Sequence, residues 1–159
     1  MKTDKERKFE NIVKKHKTTI YTVCYMFSKD NEQVQDLFQE VLIRIWQGID
    51  SFDNKANIKT WIYRISLNTC ISLQRKKRKK TLPLDMDINI FEDDDEDSKQ
   101  IRTLYDRINL LQPFDKAIVL LWLENQSYED ISLIMGISVK NVSVRLLRIK
   151  EKLKTISND

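Results

Sequence analysis

Only two glycines and two prolines occur in 159 residues, and that scarcity limits the chain more than any other feature. A turn-dense β-fold needs those residues at its reversals, whereas helix interiors exclude them. Apolar residues also recur at spacings of three and four along most of the sequence, the period of an amphipathic helix. The expected fold is therefore all-α, in two small helical domains joined by a flexible acidic linker.

Charge divides the chain at the same places. Residues 1–80 hold 18 Lys and Arg against 9 Asp and Glu, residues 81–100 hold 1 against 8, and residues 101–159 hold 9 against 7. Two basic blocks around an acidic strap suit two nucleic-acid contacts with a polyanion-like or polyanion-avoiding link between them. The expected domains are thus 1–80, a helical bundle; 81–100, the linker; and 101–159, a second helical domain.

Within the first domain, a helix is expected from about Asp4 to Phe27, with Phe9, Ile12, Val13, Ile20, Val23 and Phe27 on one side. His16 lies on that stripe and reads as a packed or partly exposed side chain, since no second histidine exists. Asp30 caps a second helix, with Gln33 at the capping-box position. Its core face is Val34, Leu37, Phe38, Val41, Leu42, Ile45 and Trp46, and its other face carries Gln35, Asp36, Gln39, Glu40, Ile43 and Arg44. Gly48–Lys59 reads as a loop. A third helix follows from Ile58 or Thr60 to about Lys80, with Ile58, Trp61, Ile62, Ile65, Thr69 and Leu73 inward. That leaves Tyr63, Arg64, Leu67, Asn68, Ile71, Gln74 and Arg75 for solvent or ligand, with Tyr63 open between core and site. The helix ends in RKKRKK, either a solvated basic tail or a holder of phosphates.

Thr81–Gln100 shows no period, contains Pro83 and the run Glu92–Asp97, and reads as extended. Four short helices are expected beyond it. Ile101–Leu111 turns Ile101, Leu104, Ile108 and Leu111 inward, and Pro113 opens the next helix at a position that tolerates it. The segment Ser127–Leu153 then reads as a helix-turn-helix. Ser127 caps the first helix, Gly136 supplies a left-handed turn, Ile137 plugs the corner and Ser138 caps the second helix. That last helix buries Val142, Leu146, Ile149 and Leu153 and presents Lys140, Asn141, Ser143, Val144, Arg145 and Arg148. Amide, hydroxyl and guanidinium groups on such a face suit base edges and phosphates in a major groove.

Other chemistry finds little support. Cys24 and Cys70 stand without CxxC spacing and read as small core residues, so neither a metal site nor a cofactor is expected. The acidic run has no fixed geometry for a metal, and no nucleophile–base pair is present, so the chain does not read as an enzyme. With no bilayer-length apolar run and no signal peptide, a cytoplasmic protein is expected. A helix-turn-helix regulator that binds duplex DNA alone, with residues 1–80 as a dimerisation or sensor module, remains the competing class.

The motifs in order resemble the extracytoplasmic-function (ECF) group of bacterial RNA polymerase sigma factors, the smallest of the sigma-70 family, over nearly the whole chain. Asp36–Trp46 (DLFQEVLIRIW) resembles regions 2.1–2.2, Trp61–Asn68 (WIYRISLN) with the basic run resembles regions 2.3–2.4, and Leu111–Phe114 with the helix-turn-helix resembles region 4. The resemblance implies an alternative sigma factor that binds core polymerase, recognises −10 and −35 promoter elements and helps melt DNA. Asp36, Gln39, Glu40, Ile43 and Arg44 would meet the clamp helices of the polymerase β′ subunit, and the second domain the β flap. Phe52, Asn54, Lys55, Lys59, Arg64, Asn68, Arg75, Lys76 and Lys79 would handle the −10 element. Asn68 would make a base contact there, with a flipped base received by the loop Phe52–Lys59. Ser138, Lys140, Asn141, Ser143, Val144, Arg145 and Arg148 would read the −35 element, with Lys140, Asn141 and Val144 at base edges. An anti-sigma factor, often membrane-bound in relatives, would control it, and the linker would thread the RNA-exit path. Four positions depart from the family's pattern: Gln112 replaces a usual proline, Asn125 a common glycine, and Val144 and Leu147 more polar residues.

Overall fold

A computed structural model describes residues 1–52, 57–80 and 96–156, of which 77–80, 96–98 and 155–156 are described by backbone alone. Those residues form seven α-helices and one short 3-10 turn, with no strand among them. The chain divides into two units, Met1–Lys80 and Thr81–Asp159.

The first unit is a bundle of α1 (Asp4–Phe27), α2 (Asn31–Gly48) and α3 (Ile58–Lys80). The Thr3 side chain caps α1 by accepting the Glu6 N–H, and the Asp30 carboxylate caps α2 by accepting that of Glu32. Each satisfies one of the backbone donors that a helix start leaves unpaired. Gln33 does not complete a capping box. Its side-chain oxygen instead accepts the Ser28 hydroxyl at 2.8 Å, and Ser28 Oγ in turn accepts the Asp30 N–H, which fixes the α1–α2 corner. Ile12, Ile20, Val23, Phe27, Val34, Phe38, Val41 and Ile45 fill the core from the first two helices, as their periodicity requires.

The expected loop from Gly48 is shorter than its sequence suggests. After α2 the chain makes a 3-10 turn, Ile49–Ser51, that drops the fully buried Ile49 into the core.

A larger correction falls on α3. Leu67 and Ile71, assigned to its outer face, are buried, and so are Tyr63, left open between core and site, and Ser66, Thr69 and Cys70. The helix packs against both α1 and α2, so its apolar surface spans more than the single stripe that one partner would demand. The Thr69 hydroxyl donates to the Ile65 carbonyl at 2.6 Å, which makes its burial tolerable. Cys24 and Cys70 are both buried and free. A hydrogen bond between their side chains pulls the Cys24 thiol below its ordinary range, against the opposing effect of burial.

The second unit contains α4 (Glu96–Asn109), α5 (Pro113–Leu123), α6 (Tyr128–Met135) and α7 (Val139–Ile156). Pro113 stands at the first turn of α5 as expected. The first of these helices starts at Glu96, so residues 96–100 are helical rather than extended. The rest of the acidic strap, residues 81–95, lies outside the described residues. Ile101, assigned inward, is exposed, while Ile108 and Leu111 are buried. The last helix is not short, since α7 runs 18 residues. Its stripe Val142, Leu146, Ile149 and Leu153 is buried, together with Ile118, Leu121, Ile131 and Ile134 of the neighbouring helices.

Two measurements check this packing. Leu67→Ala removes a fully packed side chain and is expected to cost roughly 2–5 kcal/mol by denaturant unfolding of the first unit. An unchanged midpoint would return Leu67 to the surface. His16 is held below its ordinary value of 6.5 by burial and then by the adjacent Lys15. The folded state therefore binds fewer protons than the unfolded one, and stability is full above pH 6.5 and declines as pH falls below it. Between about pH 7 and 5.5 the melting temperature is expected to fall less in His16→Gln than in the parent, and equal slopes would contradict the assignment.

Candidate protein-docking and nucleic-acid faces

In the first unit, α2 has a face that the core does not use. Asp36, Gln39 and Ile43 are exposed and Glu40 and Arg44 half-buried, all on one strip at helical spacing. Glu40 Oε1 lies 3.5 Å from Arg44 Nε, one turn apart, with the acid toward the helix N-terminus, the more favourable order. Ile43 is 49% exposed in the middle of these polar groups. Isoleucine on an otherwise polar strip supplies desolvation energy, and the flanking charges supply register. Beside the strip is an open hollow of about 420 Å³ lined by Tyr21, Tyr25, Asn31 and Gln35. Tyr21 is stacked on Phe38 at 4.0 Å, which holds that wall rigid.

A second face lies on α3. Asn57 starts the helix by accepting the Lys59 N–H on its side chain at 2.9 Å and the Trp61 N–H on its carbonyl. Arg64, Asn68 and Arg75 are all exposed and share one strip, with Lys76 exposed to one side of it, while Lys59 is exposed at the helix start on the opposite side of the axis. Phe52 is half-buried against Trp61, with ring centres 4.7 Å apart. Trp61 was expected in the core alone and instead forms one wall of this surface pair. Lys8 of α1 brings its ammonium to 5.8 Å from the Phe52 ring. Nothing in the local sequence signals that approach, because it depends on how α1 crosses the end of α2. Lys5, also on α1, is engaged by Trp46 at 4.2 Å and Asp50 at 3.2 Å. Asn54 and Lys55 lie outside the described residues, as does the Lys79 side chain.

In the second unit the turn between α6 and α7 follows from its sequence. Ser127 accepts the Asp130 N–H and Ser138 that of Asn141, at 3.1 and 3.0 Å. Between them Gly136 adopts φ +71°, which a side chain resists. The Ile137 N–H then reaches back to the Ser132 carbonyl, and the Ser132 hydroxyl donates to that of Ile137, closing the corner. Asn125 ends α5 in the same left-handed conformation at φ 63°, where asparagine is tolerated better than most residues.

Lys140, Asn141, Ser143, Val144 and Arg148 are exposed along α7. Arg145, grouped with them by sequence, is half-buried and turned onto α5. Its Nη1 lies 3.3 Å from Asp115 Oδ1, and its guanidinium sits 4.9 Å from the Phe114 ring centre. A helical period of 3.6 places it off the strip made by Lys140, Val144 and Arg148, which recur every four residues. Leu147, by contrast, is 62% exposed beside Arg148.

Among the described residues no group of His, Cys, Asp and Glu is arranged to hold a metal ion, and no helix is long and apolar enough to cross a membrane. What the faces offer is recognition: polar and charged groups on rigid helices, next to solvent-accessible aromatic and apolar side chains.

Known protein families match both units of this chain. The models of sigma-70 region 2 and of sigma-70 region 4 match residues 12–80 and 101–153. ECF RNA polymerase sigma factor SigW of Bacillus subtilis is 30% identical over 92% of this chain and 87% of its own length. SigE of Mycolicibacterium smegmatis, also an ECF sigma factor, is 27% identical over 92% of this chain, which spans 60% of that relative's length. In fold, the chain matches sigma factor RpoE of Bartonella quintana, solved with the anti-sigma factor NepR, at a TM-score of 0.73 and 20% identity, over 96% of this chain and 98% of that one.

Proposed function

The chain belongs to the sigma-70 family, in its extracytoplasmic-function group, and from that premise we propose how its two units serve transcription initiation. The first unit docks on core RNA polymerase through the α2 strip of Asp36, Gln39, Glu40, Ile43 and Arg44, against the clamp helices of the β′ subunit. Carboxylates and amides on a fixed helix pair with basic groups across an interface and set its register, while Ile43 supplies the apolar contact.

Once docked, the unit holds the −10 element as its strands separate. Asn68 offers a donor and an acceptor to an unpaired base, Arg64, Arg75 and Lys76 balance phosphate charge, and Phe52 presents a ring on which a base can stack. Asn54, Lys55 and Lys79 belong to the same set by resemblance. The second unit reads intact duplex at −35, with Lys140, Asn141 and Val144 at base edges and Ser138, Ser143 and Arg148 toward the backbone. Leu147, more exposed than Val144, adds a second apolar group able to meet a thymine methyl.

The observation that carries this reading is the α3 strip beside the Phe52–Trp61 pair. Amide and guanidinium groups serve closed duplex as well, but a ring on which an unpaired base can stack is of use only to a protein that meets a separated strand. An anti-sigma partner is proposed as well, supported by the solved complex of the sigma factor RpoE, whose fold this chain shares, with the anti-sigma factor NepR.

Transcription by purified core polymerase on genomic fragments, with and without this chain, tests the function. Start sites that appear only when it is added are the expected result. Core-independent binding to palindromic duplexes, with no new start sites, would replace the reading with that of an ordinary regulator. Two substitutions separate the faces. Glu40→Lys reverses a charge on the docking strip and is expected to weaken core association by about tenfold or more with unchanged thermal stability. Asn68→Ala is expected to leave core affinity intact and to reduce promoter opening, read by permanganate reactivity of thymines. Equal loss of core affinity in Asn68→Ala would remove that residue from the DNA face.

A further inference from the structure

The recognition helix is less basic toward DNA than its sequence implies. Of the α7 cations, Arg145 is engaged by Asp115 and stacked on Phe114, and Lys150 lies 4.1 Å over the Trp122 ring. Both rings belong to α5, so two cations of the helix are engaged in fastening it to its neighbour. The Nε of Arg145 is moreover buried with no hydrogen-bond partner, so the side chain's inner edge faces protein rather than solvent. Lys140 and Arg148 are exposed and form no ion pair among the described residues.

We infer that Arg145 is a positioning residue, held by Asp115 and Phe114 to fix the seat of α7 on α5, and that the helix's charge toward phosphate comes from Lys140 and Arg148. The inference rests on the −35 reading and refines it. To reach a phosphate, Arg145 must give up a carboxylate and an aromatic face, and the phosphate must approach the carboxylate left behind. A guanidinium that pairs with a carboxylate through one Nη while lying over a ring is also a site that lysine does not reproduce, because an ammonium lacks the planar face. Fixing the helix matters because every base-edge contact depends on its angle in the groove.

The two roles predict opposite signs for one substitution. If Arg145 were a phosphate clamp restrained by Asp115, then Asp115→Ala would remove a repulsive carboxylate, tighten duplex binding and steepen its salt dependence. A positioning role predicts weaker binding with an unchanged salt slope. The test uses the full chain at low ionic strength and a labelled duplex, selected from a random pool by the chain in complex with core polymerase.

Lys140→Ala and Arg148→Ala are each expected to lower the slope of log K against log salt by about 0.9, the value for one phosphate contact. Arg145→Ala and Asp115→Ala are expected to keep the parental slope while weakening binding about threefold, in line with a half-exposed ion pair. The double variant is expected to be no weaker than either single one, and Arg145→Lys to behave like Arg145→Ala. A slope reduced by about 0.9 in Arg145→Ala, or tighter binding in Asp115→Ala, overturns the inference. Unchanged slopes in all the variants, Lys140→Ala and Arg148→Ala included, would overturn the duplex reading itself. Thermal melting then decides the positioning role alone, with non-additive losses for Asp115→Ala and Arg145→Ala supporting it and additive losses refuting it.

Discussion

Everything in the first unit depends on α3 being packed on two sides. Because α1 and α2 both cover it, Ile62, Tyr63, Ser66, Leu67, Thr69, Cys70 and Ile71 are buried, and little of its circumference is left for anything else. The exposed remainder among its described side chains is Lys59, Ser72, Lys76 and the strip of Arg64, Asn68 and Arg75. A helix held that firmly can offer an amide and guanidinium groups at fixed spacing, which binding without a large ordering cost requires. The two-sided burial that stabilises the bundle also makes the recognition surface rigid.

Much of this was legible in the sequence. The scarcity of glycine and proline and the helical period gave an all-α chain, and the start of α2 follows from Asp30 as its cap. The Gly-Ile-Ser turn was equally plain, because the left-handed corner at Gly136 leaves few alternatives. Where the reading failed, tertiary context was the reason. A stripe analysis assigns a helix one apolar face, so it placed Leu67 and Ile71 outside and left Tyr63 open when a second helix covers them. It missed the pairing of Phe52 with Trp61 and the approach of Lys8 for the same reason, since both arise from helices that cross rather than from neighbours in sequence. It did not reveal the contact of Arg145 with Asp115, because charge pattern alone gives no sign of a carboxylate thirty residues away.

The candidate sites divide along the same line. The α2 strip was read correctly as an exposed face because its residues alternate cleanly with the core set Val34, Phe38, Val41 and Ile45. On α7 the alternation is equally clear, but a basic helix can direct its charges inward as well as outward. Aromatic side chains on α5 draw two of them in, and this lowers the number of cations free to meet phosphate while fixing the helix that carries the rest. On the proposed reading, affinity from charge and precision of placement are thus in competition along one helix, and Lys140 and Arg148 supply its charge toward phosphate.

The central claim is that the first unit, docked on polymerase, holds a separated promoter strand. Binding of a labelled single-stranded oligonucleotide carrying the non-template −10 sequence, compared among core polymerase, this chain alone and the two together, tests it most directly. The account predicts sequence-selective capture only by the assembled complex. Capture that is indifferent to sequence, or that core polymerase achieves equally well alone, would contradict it.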